Sequence, residues 1–241
     1  MQFKDLFNYD SDEKYFKYIE ERERERERGI LINADCINVI SKLDDNFSNI
    51  TLTDIPYDNV NRKDNGLRKI DKGKADILTF DIQTFLNELY RVTSGTIIIF
   101  CEINQISEIY NYFNNYAKKG KGTVRQLVWR KTNPSPMNGD YIYLSGLENA
   151  IWFKKKGATF NAHCKSNVFD FPCGRSKLHP TEKNHNLIKD LILDNSKEND
   201  IILDPCCGSA SHCLCAKELN RKFVGIELDE KYFKIGKQRF I

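Results

Sequence analysis

Four short clusters in this sequence gather side chains able to bind or polarise a substrate. The first, Asp54-Ile55-Pro56-Tyr57, sets a carboxylate, a proline turn and an aromatic ring within four residues. A carboxylate can accept one N–H of a planar amine, a backbone carbonyl the other, and a ring can stack on its face. The same residues also make an ordinary Asp/Pro turn, so alone they leave both readings open. The second, Asp204-Pro205-Cys206-Cys207-Gly208-Ser209, follows the apolar run Ile201-Ile202-Leu203. Gly208 lets backbone approach a ligand closely, and a helix opening after it presents free N–H groups to an anion. Glu227 ends a further apolar run 23 residues after Asp204. That is close to the interval at which a nucleotide-binding βαβ unit places its ribose-hydroxyl acceptor. The glycine pattern is not G-x-G-x-x-G, so a dinucleotide fingerprint is poorly matched, and a capped turn with a surface acid is the other reading.

The third cluster is Lys177-Leu178-His179-Pro180-Thr181-Glu182-Lys183. His179, Thr181 and Lys183 could bind a carboxylate at a helix start, or Thr181 could simply cap the helix. The fourth is Asn33-Ala34-Asp35, where Asp35 is either a ligand or the N-cap of the next helix. Cys206, Cys207, Cys213 and Cys215 crowd around His212. Neither a paired C-x2-C framework nor an H-x3-5-H unit is present, so reduced apolar thiols and no metal are expected.

The elements that must position these clusters follow from the pattern. Strand-like runs at 30–33, 49–53, 96–101, 124–130, 148–153, 201–203 and 222–226 alternate with helical spacing at 36–43, 81–92, 104–118, 184–194, 209–219 and 229–239. Residues 58–78, 131–146 and 157–180 read as irregular. Such alternation predicts an α/β fold with a doubly wound, mostly parallel sheet of seven strands. Ligands sit beyond the carboxyl ends of such strands, where Asn33 to Asp35, Asp54 to Tyr57, Asp204 to Ser209 and Glu227 fall. Residues 1–28, with the run Glu20 to Arg28 of Glu and Arg, read as a charged N-terminal extension ahead of a domain spanning 29–241.

Composition excludes several classes. With 241 residues, 40% hydrophobic and 29% charged, the chain can build a sizeable core and is too apolar to be disordered. No apolar run is long enough to span a membrane, and the first residues lack a basic-then-apolar signal. A cytoplasmic location is expected, on the nucleoid when the protein is bound to DNA. The balance of 37 Lys plus Arg against 34 Asp plus Glu gives only +3. Residues 61–74, however, carry six Lys or Arg against two Asp, a local +4.

Taken in order, the clusters resemble the amino-methylating DNA methyltransferases of the permuted β arrangement. Asp54-Ile55-Pro56-Tyr57 is similar to that family's D-P-P-Y and His179 to Lys183 to its H-P-T-x-K-P. Asp204 to Ser209 is similar to its D-P-F-x-G-S-G, and Gly225 to Asp229 to its ribose-binding strand. Gln126 to Pro134 and Leu147 to Lys154 resemble the segments that lead into and out of its target-recognition region. The match covers about residues 30–239. It implies a circularly permuted, Rossmann-like methyltransferase sheet with a target-recognition insertion over about 131–178.

The resemblance further implies S-adenosyl-L-methionine as cofactor, no metal, and methyl transfer to the exocyclic N6 amine of a flipped adenine in duplex DNA. Cytosine N4, an RNA or protein acceptor, and a non-catalytic DNA-binding subunit are the alternatives. Asp54, Ile55, Pro56 and Tyr57 would grip the amine. Asp35, Asp204, Pro205, Cys206, Gly208, Ser209 and Glu227 would hold the cofactor, with His179, Thr181 and Lys183 at its carboxylate. Arg62, Lys63, Arg68 and Lys69, then Arg130 and Lys131, are the DNA-contact expectation. Phe169, Phe171 and Tyr141 either intercalate or pack. A homodimer and a companion restriction endonuclease are compatible with this picture. Three positions depart from the pattern: Ile55 and Asn184 stand at family prolines, and Ala210 adds a methyl where backbone passes the methionine moiety.

Overall fold

Runs of alternating β-branched and aromatic residues build the sheet because each successive side chain points to the opposite face. In β3 (Thr93–Cys101), Ile97, Ile99 and Cys101 enter one buried cluster while Ile98 and Phe100 enter another. In β2 (Ser48–Asp54), Ile50 and Leu52 join the second cluster. Both faces are therefore covered by helices, as a buried parallel sheet requires. The computed structural model describes residues 29–57, 78–136, 139–174 and 182–241. The charged extension 1–28 lies outside them, as does all but residue 78 of the basic segment 58–78.

Eight strands are present among the described residues, in the order β1-β8-β7-β2-β3-β5-β4-β6. The others are β1 (Gly29–Asn33), β4 (Gly122–Lys131), β5 (Leu147–Lys155), β6 (Val168–Phe171), β7 (Ile201–Asp204) and β8 (Lys222–Glu227). All neighbours pair parallel except β5, which is antiparallel to β3 and β4. The sheet thus has one strand more than the seven expected. The extra one, β6, lies within the segment read as irregular; it is four residues long and buries only Phe169, too little pattern to register.

Helices α1 (Cys36–Ile40), α2 (Ile82–Val92) and α3 (Ile103–Lys118) supply Ile40, Phe85, Leu86, Leu89 and Phe113 to one face. On the other face α4 (His185–Asn195) and α5 (Ser211–Glu218) supply Leu187, Ile188, Leu191, Cys213 and Ala216. The closing helix α6 (Glu230–Gln238) sets Gly236 against Ala210: a Cβ built there would lie 3.0 Å from the Ala210 methyl. Helix starts are fixed by acidic or amide caps: Asp35 accepts from Asn38 N–H, Asp81 from Thr84 N–H and Asn184 from Leu187 N–H. No described helix is long and apolar enough to cross a membrane.

Strand order places the site. β7 and β2 are adjacent and parallel, with Ile50 opposite Ile202 and Thr51 opposite Leu203. From β7 the strand order runs outward through β8 to β1, and from β2 outward through β3. Their carboxyl ends therefore frame the crevice where the winding reverses.

Candidate active site

Asp204 ends β7 and Asp54 ends β2, so 150 residues of intervening chain are cancelled by one pair of parallel strands. Asp54, Ile55, Pro56 and Tyr57 share a cleft of about 460 Å³ with Asp35, Lys183, Pro205, Cys206, Gly208, Ser209, His212 and Glu227. Most of the predicted residues are thus brought together. His179, Thr181, Arg62, Lys63, Arg68 and Lys69 lie outside the described residues.

The Asp54 turn is held from several sides. Tyr57 donates its hydroxyl to Asp54 Oδ1 at 3.1 Å. Ile55 donates its N–H to the Phe100 carbonyl (3.2 Å), and Gln105 Nε2 donates to the Pro56 carbonyl (3.1 Å). The Ile55 side chain is 2% exposed and sits in the core. Burial of that side chain therefore supplies the rigidity that a proline ring would otherwise give the turn.

Lys183 lines the cleft, and its Nζ lies 2.5 Å from Asp54 Oδ2 and 3.0 Å from Glu148 Oε2. Burial pushes the Asp54 carboxyl above the ordinary carboxylate range; Lys183 opposes that shift and Glu148 adds to it. For Lys183, burial works against the charge, but Asp54, Tyr57 and Glu148 together hold the ammonium well above the usual lysine range. Burial also opposes the charge on Glu148, yet Lys183 and Lys131 bring its carboxyl below the usual range. Glu148 escaped the sequence reading because it is a single acid opening an otherwise apolar strand.

The cofactor-side loop is built on one carboxylate. Gly208, at φ 53°, donates its N–H to Glu227 Oε2 (2.7 Å), and Asp229 donates its N–H to Oε1 (2.7 Å). Burial nonetheless raises the Glu227 carboxyl, these two donors pulling the other way. Asp35 is the N-cap of α1 and also lines the cleft. Ser209 is 3% exposed and accepts from Arg239 at 3.1 Å. Ala210 takes the left-handed φ of 60° and turns its methyl toward Gly236; it does not line the cleft.

His212, on the first turn of α5, was read only as a metal candidate. Its Nδ1 faces Asp204 Oδ2 at 2.9 Å without hydrogen-bond alignment, both side chains being almost fully buried. Among the described residues no group of three or more His, Cys, Asp or Glu is placed to hold a metal. Contact with Cys36 pushes the Cys206 thiol well up, and contact with Cys213 does the same to Cys207, with burial adding to both.

The entry to the 131–178 segment does not carry free charge. Arg130 forks onto Asp170 at 2.7 and 2.6 Å, and Lys131 pairs with Glu148 at 2.7 Å. Both cations expected to meet DNA are matched within the protein. Phe169 is packed at 8% exposure, whereas Tyr141 and Tyr143 are 89% and 102% exposed in the β4–β5 connection.

Known proteins share this arrangement. Residues 48–238 match the N6_N4_Mtase family of DNA methylases. A type II methyltransferase of Lactococcus lactis subsp. cremoris, M2.LlaDCHI, is 27% identical over 89% of this chain and 90% of its own. M.HpaI of Haemophilus parainfluenzae, also a type II methyltransferase, is 30% identical over 87% of this chain and 73% of its own. The crystal structure of the M1.HpyAVI–SAM complex superposes with a TM-score of 0.66 at 27% identity, covering 88% of this chain and 98% of that one. The cytosine-N4-specific PvuII DNA methyltransferase gives 0.66 at 16% identity, over 89% of this chain and 86% of that one, a likeness of fold. With a family match across most of its length and a cleft assembled from that family's motifs, this chain belongs to the N6/N4 DNA methylases.

Proposed function

We propose that this DNA methyltransferase transfers the methyl group of S-adenosyl-L-methionine to the N6 amine of adenine in duplex DNA. The observation that carries the reading is the shared cleft. The Asp54–Tyr57 turn and the Gly208–Glu227 cofactor loop open into the same 460 Å³ space from adjacent parallel strands.

The residues present suit the cofactor. Glu227, fixed by two backbone N–H groups, keeps lone pairs for ribose hydroxyls. Asp35 lines the cleft where it can meet an adenine amine, and Pro205, Cys206, Gly208 and Ser209 line it on the methionine side, whereas Asp204 is buried behind them against His212. When bound, S-adenosylmethionine supplies an electrophilic methyl on sulfur.

The chain's own groups do the rest. A base amine in a duplex is occupied in pairing, so the base must leave the stack, at a cost of about a few kcal/mol. Tyr57 stacks on it. Asp54 and the Ile55 carbonyl accept the two amine hydrogens and direct the nitrogen lone pair outward. The Asp54 carboxylate then faces the positive charge that develops on nitrogen. No thiol acts as nucleophile. The aspartate at the head of the tetrapeptide favours adenine, because the resembling cytosine-N4 enzymes often carry serine there.

DNA contact falls to the basic segment 61–74 and the 131–178 insertion, whose exposed tyrosines Tyr141 and Tyr143 are the available stacking surfaces. The type II designation of the relatives supports a companion restriction endonuclease. The test is transfer of labelled methyl groups to unmodified duplex DNA, followed by digestion to nucleosides. N6-methyladenine is expected; N4-methylcytosine in its place overturns the adenine assignment.

A further inference from the structure

Four charges of alternating sign form a chain that starts at the cleft-lining Asp54 and Lys183 and continues to Glu148 and Lys131. Asp54 Oδ2 meets Lys183 Nζ at 2.5 Å, Lys183 meets Glu148 Oε2 at 3.0 Å, and Glu148 Oε1 meets Lys131 at 2.7 Å. The Lys183 side chain is 3% exposed, so its charge depends on these partners rather than on water. A lysine has four rotatable bonds, and one carboxylate contact leaves most of its rotamers open. Two carboxylates from different strands, Asp54 on β2 and Glu148 on β5, admit far fewer.

We propose that Glu148 is a positioning residue for methyl transfer: it anchors the Lys183 ammonium, and Lys183 fixes Asp54 Oδ2 while Tyr57 fixes Oδ1, leaving the carboxylate oriented to receive the target amine. This rests on the reading that Asp54 grips the amine. Its physical basis is that an unpaired Asp54 and Glu148 would be like charges in a buried setting, and one would take up a proton. A protonated Asp54 offers one acceptor fewer. Lys183 prevents that, and Glu148 with Lys131 behind it keeps Lys183 in place. The chain of four is neutral as a whole, which limits the cost of burying it.

The groups facing Asp54 are Lys183, Tyr57 on its own turn, Glu148 on β5, Cys101 at the end of β3 and His212 on α5. Their signs separate the proposal from a merely structural role. Removing Glu148 takes a like charge away from Asp54, so the acidic limb of activity shifts to lower pH. Removing Lys183 takes away the opposite charge, so the limb shifts to higher pH, by about one unit or more.

The experiment measures kcat and KM across pH for wild type, Glu148→Gln, Lys183→Met and Asp54→Ala, with cofactor affinity by calorimetry and melting temperature alongside. Glu148→Gln is expected to lower kcat by about 10- to 100-fold, the scale of a misplaced catalytic group. Its cofactor affinity should stay within about twofold of wild type, since no charge that holds the cofactor has changed. Where Glu148→Gln does not fold, Glu148→Asp keeps the charge and shortens the reach, and should show the same loss of kcat. Wild-type kcat and pH profile in Glu148→Gln, with Asp54→Ala inactive, overturns the proposal and leaves the reading of Asp54 intact. A lowered kcat with an unmoved acidic limb also overturns it. Activity retained in Asp54→Ala overturns the reading of the site itself.

Discussion

Gly208 donates its backbone N–H to Glu227 Oε2 at 2.7 Å, so the glycine of one strand-to-helix turn is locked to the acid that ends the next strand. The contact fixes the loop and the Glu227 carboxylate as one unit. It also explains why a glycine stands there, since φ is 53° and a side chain would be strained. Glu227→Ala should therefore weaken S-adenosylmethionine binding about tenfold or more, by loss of both the acceptor and the loop anchor. Calorimetric titration measures it; an unchanged affinity would exclude Glu227 from the cofactor site.

Asp54→Asn keeps the size of the side chain and removes its charge. Methyl transfer should fall at least about 100-fold, the scale seen on losing one electrostatic stabiliser. Cofactor affinity should stay within about twofold, because Glu227 and the 204–209 loop are untouched. Single-turnover transfer to duplex DNA, compared with calorimetry, separates the two effects.

Ala210 sits in the left-handed region at φ 60° with its methyl toward Gly236. Ala210→Gly relieves about 1–2 kcal/mol of backbone strain and loses about 0.8 kcal/mol of buried methyl. The net change in unfolding free energy should be no more than about 1 kcal/mol. Cofactor affinity should not move. A large gain in affinity would show that the methyl intrudes on the cleft.

Gly225 in β8 is packed without room. A Cβ there would lie 2.6 Å from a Leu31 methyl, 2.7 Å from Cys213 Sγ and 3.0 Å from Cys207 Sγ. Gly225→Ala should destabilise the fold by about 1–3 kcal/mol, as overpacking does. Urea unfolding of the variant against wild type gives the figure directly.

The thiols differ in reach and in acidity. Burial pushes Cys101 and Cys215 up to about 12, so at pH 8 both remain protonated as well as inaccessible. Cys164 is exposed. Alkylation of the native protein at pH 8 should mark Cys164 first and leave Cys101 and Cys215 unmodified until urea unfolds the chain, as peptide mass spectrometry would record.

Much of this protein is legible in its residues. Short β-branched runs alternating with helical spacing determine the α/β class. A carboxylate with a glycine or a proline close behind the runs that end at Thr53 and Leu203 marks where chemistry gathers. Asp54, Gly208 and Glu227 are found this way because each carries a local signal: an acid or a turn residue directly after an apolar run.

What the tertiary structure decided is which of those groups meet, and with what partners. No spacing rule links Asp54 to Lys183, 129 residues away, or brings Glu148 beneath both. The motif around Lys183 points to a cofactor carboxylate, and only the fold shows that its ammonium pairs with Asp54. Arg130 and Lys131 read as free basic charge, yet Asp170 and Glu148 match them from neighbouring strands. Ile55 stands at a family proline, and only the fold shows that its side chain is part of the core. Periodicity and turn chemistry are local and survive in a one-dimensional pattern. Charge pairing and burial depend on strand order, which brings residues together across the sheet regardless of their distance along the chain.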